Sequence, residues 1–233
     1  MSTSITKQGI LKADGSNVGE NIAWNSSLRK DHSLWGVGGT WDHTIKDGYP
    51  CIHHTGAFKT TGTLTPKQTF NTTTDGMLPY NGLILTFSCY VLLEDVVKGT
   101  TNYYLALYPS GQTIDGTWRN AVVLKNNGYF TTSSSVVLDP EKLNGKGWTF
   151  VSCTFQWGDY AWFNTNYRMQ VYARDYTGEF YVRDVKFEQN DFATPWTPNS
   201  NDDLYTGEHG FFEESNIASI GKGYFNVNEF YEL

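Results

Sequence analysis

The stretch LILTFSCYVLL at residues 83–93 decides the fold. Leu83, Leu85, Phe87, Cys89, Val91 and Leu93 alternate with Ile84, Thr86, Ser88, Tyr90 and Leu92. An unbroken period of two marks a β-strand with one face in a core. Further along, WTFVSCTFQW at 148–157 sets Val151, Cys153, Phe155 and Trp157 against Ser152, Thr154 and Gln156. It opens after LNGKG, whose Asn144-Gly145 pair is a turn signal. A third strand is expected over 167–175, with Tyr167, Met169, Val171 and Ala173 on one side and Arg168, Gln170, Tyr172 and Arg174 on the other. Tyr176-Thr177-Gly178 then turns the chain into GEFYVRDVKFEQ, where Phe180 and Val182 hold one phase and Val185 and Phe187 the other. That switch implies a bulge near Arg183 and Asp184, or burial on both faces. Shorter strands are expected at 49–54, 62–70, 102–108 and 121–125. Many short strands without a long amphipathic helix predict an all-β, antiparallel jelly-roll β-sandwich. Its core should contain Leu85, Phe87, Cys89, Val91, Val151, Cys153 and Phe155.

Composition narrows the function classes. Among 233 residues stand 8 Trp, 15 Tyr and 14 Phe, and the formal net charge is −7. A negative chain without a Lys/Arg cluster lacks the footprint of a nucleic-acid binder. Its apolar runs fall far short of the roughly 20 residues that cross a bilayer, so no membrane partner is expected. Cys51, Cys89 and Cys153 are odd in number and widely spaced, which suits free thiols in a reducing compartment. MSTSITKQGILKADG lacks the basic start and apolar run of a secretory signal, so the chain is expected to fold where it is made.

Punctuation gives the domain plan. ATPWTPNSNDD at 193–203 places a boundary near Pro198, dividing an N-terminal arm at 1–20, the sandwich at 21–198 and a linker with docking arm at 199–233. SIGKGYF at 219–225 echoes SITKQGI at 4–10. Ile220, Tyr224, Phe225, Phe230 and Tyr231 are spread among polar residues in too short a segment to form a core. They are expected to dock on neighbouring subunits, as a strand added to a sheet edge would.

The order FYVRDVKFE at 180–188 followed by ATPWTP at 193–198 resembles the end of carbohydrate-binding-module-like jelly rolls in tailed-bacteriophage structural proteins. The Ser-Ile-Gly-Lys-Gly run and the ending Asn228, Glu229, Phe230 and Glu232 are similar to short segments of such proteins. The resemblance implies a virion protein of tail, baseplate, fibre or head-decoration type, assembled in the bacterial host cytoplasm beside other virion proteins. It implies a homo-oligomer, with a trimer as a frequent state. The jelly roll would bind host-surface polysaccharide or decorate the particle. The alternatives are a purely structural spacer and a cellular polysaccharide-binding module. No cofactor is expected beyond a structural calcium, which the resemblance would place near Asp184 on the last sandwich strand.

Catalytic signatures are sparse, and a non-enzyme is expected. No G-x-S-x-G elbow marks a nucleophile. Glu94, Asp95, Asp159 and Asp175 are available to a glycosidase, but carboxylates at strand ends commonly cap turns. His53 and His54 are adjacent in a strand and must point to opposite faces, so they cannot share a metal. Sugar recognition needs flat aromatic faces beside polar groups. Two places offer them. One is the loop WGDYAWFNTNYR at 157–168, with Trp157, Asp159, Tyr160 and Trp162; the other is the strand face of Arg168, Gln170, Tyr172 and Arg174, and Trp118 and Arg119 of DGTWRN could join either.

Overall fold

The computed structural model describes main chain and side chains at residues 21–23, 25–28, 41–58, 84–111, 115–132, 134–156 and 168–199, and main chain alone at 5–6, 9–11, 17–18, 67–70, 112–113 and 162–167. The chain divides into two units, Met1–Ser200 and Asn201–Leu233. All of the second, with Ile220, Tyr224, Phe225, Phe230 and Tyr231, lies outside the described residues.

Fourteen strands and one short helix are described: β1 Ile5–Thr6, β2 Gly9–Leu11, β3 Asn17–Val18, β4 Trp41–Lys46, β5 Tyr49–Thr55, β6 Lys67–Phe70 and β7 Ile84–Lys98, then β8 Tyr104–Leu107, β9 Ser110–Thr113, β10 Trp118–Asn120, β11 Val122–Asn126, α1 Pro140–Leu143, β12 Thr149–Gln156, β13 Trp162–Arg174 and β14 Tyr176–Glu188. A six-stranded sheet runs β11-β12-β7-β14-β5-β4, and a five-stranded sheet runs β10-β9-β13-β6 with β8 also paired to β13. Their pairings are antiparallel. The fold is the antiparallel jelly-roll sandwich the alternation predicts. Within the segment expected to be an extended arm, β1, β2 and β3 pair into a small antiparallel sheet of their own.

One core fills the sandwich. From the six-stranded sheet it takes Leu85, Phe87, Cys89 and Val91 of β7, Val151, Cys153 and Phe155 of β12, and Phe180, Val182, Val185 and Phe187 of β14. From the five-stranded sheet it takes Leu105 and Leu107 of β8 and Met169, Val171 and Ala173 of β13. Phe155 and Phe187 stack with ring centroids 5.7 Å apart. All three cysteines are buried free thiols. Burial pushes Cys51 up to about 11 and Cys153 up to about 12, so both act as small apolar groups.

Strand β14 keeps its inward phase by adding a residue. The register with β7 shifts between Arg183 and Lys186, and Asp184 takes a φ of 50°. Phe180 and Val182 before the bulge and Val185 and Phe187 after it therefore face the same core. Beyond the bulge Asn21 binds the strand: its Nδ2 donates to Val185 O at 2.9 Å, and its Oδ1 accepts from Phe187 N at 3.1 Å.

The two sheets are joined by a single residue at one corner. β13 ends at Arg174, β14 begins at Tyr176, and Asp175 between them has a φ of 53°. Its buried carboxylate accepts from Thr101 N at 3.1 Å and Asn102 N at 2.6 Å, and its carbonyl accepts from Gly99 N at 2.8 Å. A Cβ at Gly99 would lie 2.1 Å from Asp175 Oδ1. Gly99→Ala is therefore expected to cost about 1–3 kcal/mol through overpacking. Urea unfolding measures it, and an unchanged midpoint would show that the corner absorbs the methyl group.

Candidate functional site

The outward face of the five-stranded sheet carries a stripe of rings and guanidinium groups. Met169, Val171 and Ala173 of β13 point into the core, so Arg168, Gln170, Tyr172 and Arg174 face outward. Register brings partners to them: Tyr172 stands opposite Ala106, Arg174 opposite Tyr104 and Arg168 opposite Ser110. Across the next pair Asn120 faces Ser110 and Trp118 faces Gln112, so Trp118 shares the Arg168 side of the sheet.

The side chains make these relations close. Arg168 Cζ lies 3.9 Å from the centroid of the Trp118 ring. Gln170 Nε2 donates to Ser110 Oγ at 2.9 Å. Three tyrosines then form an edge-to-face cluster: Tyr104 to Tyr172 at 5.4 Å, Tyr104 to Tyr108 at 5.8 Å and Tyr108 to Tyr172 at 6.0 Å. Arg174 Cζ lies 5.5 Å from the Tyr104 centroid and 5.4 Å from that of Tyr172, while its Nη2 donates to Asn102 Oδ1 at 2.7 Å. Beside the tyrosines a cleft of about 320 Å³ opens, lined among others by Tyr104, Tyr108, Asn120, Ser134, Ser135 and Val136. The Tyr108 hydroxyl donates to Asn120 Oδ1.

Burial pushes the Tyr104 phenol up to about 12 and raises that of Tyr108, so both hydroxyls stay protonated donors at ordinary pH. Burial also lowers the Arg168 guanidinium from its usual range. An aromatic stripe with protonated phenols, amides and fixed guanidinium groups has the chemistry to cover sugar C–H patches and hydrogen-bond sugar hydroxyls.

The structure sorts the residues singled out in the sequence. It brings Trp118, Arg168 and Tyr172 onto one face. Arg119 is separated from them, because it pairs with Gly111 and so alternates to the other side of the edge strand. Trp162 is not in a loop: β13 begins at that residue, opposite Thr113, because the strand pairing with β9 extends past the expected start at 167. Trp157, Asp159 and Tyr160 lie outside the described residues. Tyr104 and Tyr108 are the additions, and the spacing Tyr104, Ala106, Tyr108 was the available signal for a shared strand face.

Asp184 does not fit a calcium site. Its carboxylate accepts from the Arg183 guanidinium, and burial raises its pKa. Calcium takes six to eight oxygen ligands. No group of three or more His, Cys, Asp or Glu placed to hold a metal occurs among the described residues. Asp184 instead orients Arg183, whose Cζ lies 3.8 Å from the Tyr49 centroid, 4.3 Å from Tyr90 and 4.8 Å from Trp148 on the outer face of the six-stranded sheet. Of the candidate acids, Glu94 pairs with Lys46 at 2.8 Å and Asp175 holds the sheet corner. His53 and His54 do point apart, His53 outward between Asp42 at 2.8 Å and Glu179 at 2.6 Å, His54 into the core against Trp41.

No family model and no curated protein matches this sequence. Among solved structures the chain is similar to the tripod (BppUct-A-L) from the baseplate of bacteriophage Tuc2009, at 16% identity and a TM-score of 0.50, over 81% of this chain and 64% of that one. It is also similar to the CBM22-1 xylan-binding domain of Paenibacillus barcinonensis Xyn10C, at 12% identity and a TM-score of 0.48, over 76% and 99% of the two chains. A third is the enzymatically active domain of bacteriophage CBA120 tailspike protein 4, at 10% identity and a TM-score of 0.46, over 73% and 21%. At these identities the baseplate likeness speaks to a shared jelly-roll fold.

Proposed function

We propose that this chain is a structural protein of a tailed-phage virion whose sandwich is a non-catalytic module that binds host-surface glycan. The observation that carries the glycan reading is the stripe of Trp118, Arg168, Tyr172, Tyr104, Tyr108 and Arg174 beside a cleft lined in part by Tyr104, Tyr108 and Asn120. The virion reading is supported by FYVRDVKFE followed by ATPWTP, and by the fold shared with a phage baseplate protein. In this reading the segment at 199–233 docks on other virion proteins or on further copies of the chain, with a trimer as the expected closed assembly.

Tyr172 tests the site because its ring touches both other tyrosines and Arg174. Tyr172→Ala is expected to weaken glycan binding by about 1 kcal/mol, roughly fivefold, while the melting temperature shows the fold intact. A glycan array followed by titration on the best ligand gives the number. Equal binding by wild type and variant would place recognition elsewhere. Immunogold microscopy of the source particle assigns head or tail, and a particle without label would refute the virion reading.

A further inference from the structure

The two sheets differ in charge in a way the net charge conceals. The strands of the five-stranded sheet contain no Asp or Glu; their ionisable cations are Lys67 of β6, Arg119 of β10, and Arg168 and Arg174 of β13. The six-stranded sheet mixes signs, with Asp42, Glu94, Asp95, Glu179, Asp184 and Glu188 against Lys46, Lys98, Lys125, Arg183 and Lys186. In a chain of net charge −7, the described strands of one sheet are thus free of carboxylates. Asp115, in the turn before β10, is held by its own turn, accepting from Thr117 N at 3.0 Å.

Two of those cations are built into the stripe. Arg168 lies over the Trp118 ring, and its buried Nε has no hydrogen-bond partner among the described residues. Arg174 is held by Asn102, Nε donating to Asn102 O at 3.0 Å and Nη2 to Asn102 Oδ1 at 2.7 Å, bonds that leave Nη1 out. Neither guanidinium forms an ion pair with a carboxylate among the described residues. A guanidinium fixed by ring contact and amide, without a counter-ion, presents its remaining donors to an anionic group at small entropic cost. The strands here offer guanidinium donors and neutral hydroxyl and amide groups, but no carboxylate that would repel an anionic ligand.

We propose that the ligand of the stripe is an anionic polysaccharide, with sugar rings on Tyr172 and its neighbours and carboxylate or phosphate groups on Arg168 and Arg174. This rests on the glycan reading of the same face. Affinity electrophoresis of the full chain in gels containing polygalacturonate, poly(glycerol phosphate) or neutral xylan tests it. The expected result is retardation by one or both anionic polymers and not by xylan, weakening as salt rises. The polymer that retards identifies the anion. Arg174→Gln and Arg168→Gln should each weaken retardation by about tenfold, and Arg174→Lys by less. Tyr172→Ala must weaken it too, which separates recognition from bulk charge attraction. Retardation by xylan alone, insensitive to salt, would overturn the anionic assignment and leave the glycan reading standing. Retardation by no polymer would overturn both. Anion binding unaffected by either arginine variant would also overturn the assignment.

Discussion

Glu188→Ala is expected to destabilise the sandwich by about 3–5 kcal/mol, because it strands a buried ammonium group. Lys186 and Glu188 lie on the outward phase of β14, yet they are 1% and 0% exposed, their charges 3.7 Å apart. The chain after the strand covers them. Lys186 Nζ donates to Thr194 Oγ1 at 2.6 Å and to Pro195 O at 2.7 Å. Glu188 accepts from Thr194 N at 2.9 Å and Thr194 Oγ1 at 2.7 Å. Burial lowers the ammonium to about 8, with Glu188 resisting the shift. Removing the carboxylate leaves that cation with only neutral acceptors. The double variant Lys186→Met with Glu188→Leu removes both charges and should recover most of the loss. Urea unfolding with linear extrapolation measures both, and a loss under about 1 kcal/mol for the single variant would show that the pair contributes little.

The second large effect appears on acidification. His54 is 3% exposed, with its ring 4.9 Å from Trp41 and its Nδ1 2.5 Å from the Tyr176 hydroxyl. Donation from Nδ1 to that hydroxyl, and from the hydroxyl to His54 O at 3.1 Å, gives each proton an acceptor and leaves the ring neutral. Burial first, and His53 second, lower its pKa to about 4 from 6.5. The folded-state value is depressed, so the unfolded chain takes up the proton first. The stabilising contribution is complete above pH 6.5 and is lost as pH falls through about 4. Its full size is about 3 kcal/mol. Burial raises the Glu179 carboxyl, the bonds from His53 and Thr55 more than offset it, and this group also loses stability in acid. The difference between wild type and His54→Leu isolates the imidazole. Chemical unfolding at pH 7, 5.5 and 4 should show the variant losing less stability than wild type across that window, and parallel curves would refute the assignment.

Alternation made the centre of the fold legible. Leu85, Phe87, Cys89, Val91, Val151, Cys153 and Phe155 are each 0–1% exposed, as one shared strand phase requires. The phase switch in β14 likewise exposed its bulge. Strand β4 escaped notice because Ile45 on it is 70% exposed and its pattern is mostly polar, although Asp47-Gly48 with φ of 52° and 82° is a strong hairpin turn. At the candidate site, period two identified Arg168, Gln170, Tyr172 and Arg174 as one face. It could not say which rings from β8 and the loop after it would meet them, since that depends on register between strands more than 60 residues apart, as Tyr172 and Ala106 are. Lys186 and Glu188 were hidden for a related reason. Periodicity tells which side of a sheet a residue takes, and the returning chain decides whether that side is wet.

The clasp at the end of β14 has a mechanical meaning. Chain entering at Asn21 and chain leaving at Asn199 meet there: Asn199 Nδ2 donates to Asn21 O at 2.6 Å, and Asn21 Nδ2 donates to Thr197 O at 2.8 Å. Tension pulling residue 21 away from residue 199 therefore loads these bonds together with those that tie Asn21 to Val185 and Phe187 of β14. A pull across the clasp is thus borne first by β14 of the six-stranded sheet, and not by the strands that carry Trp118 and Tyr172.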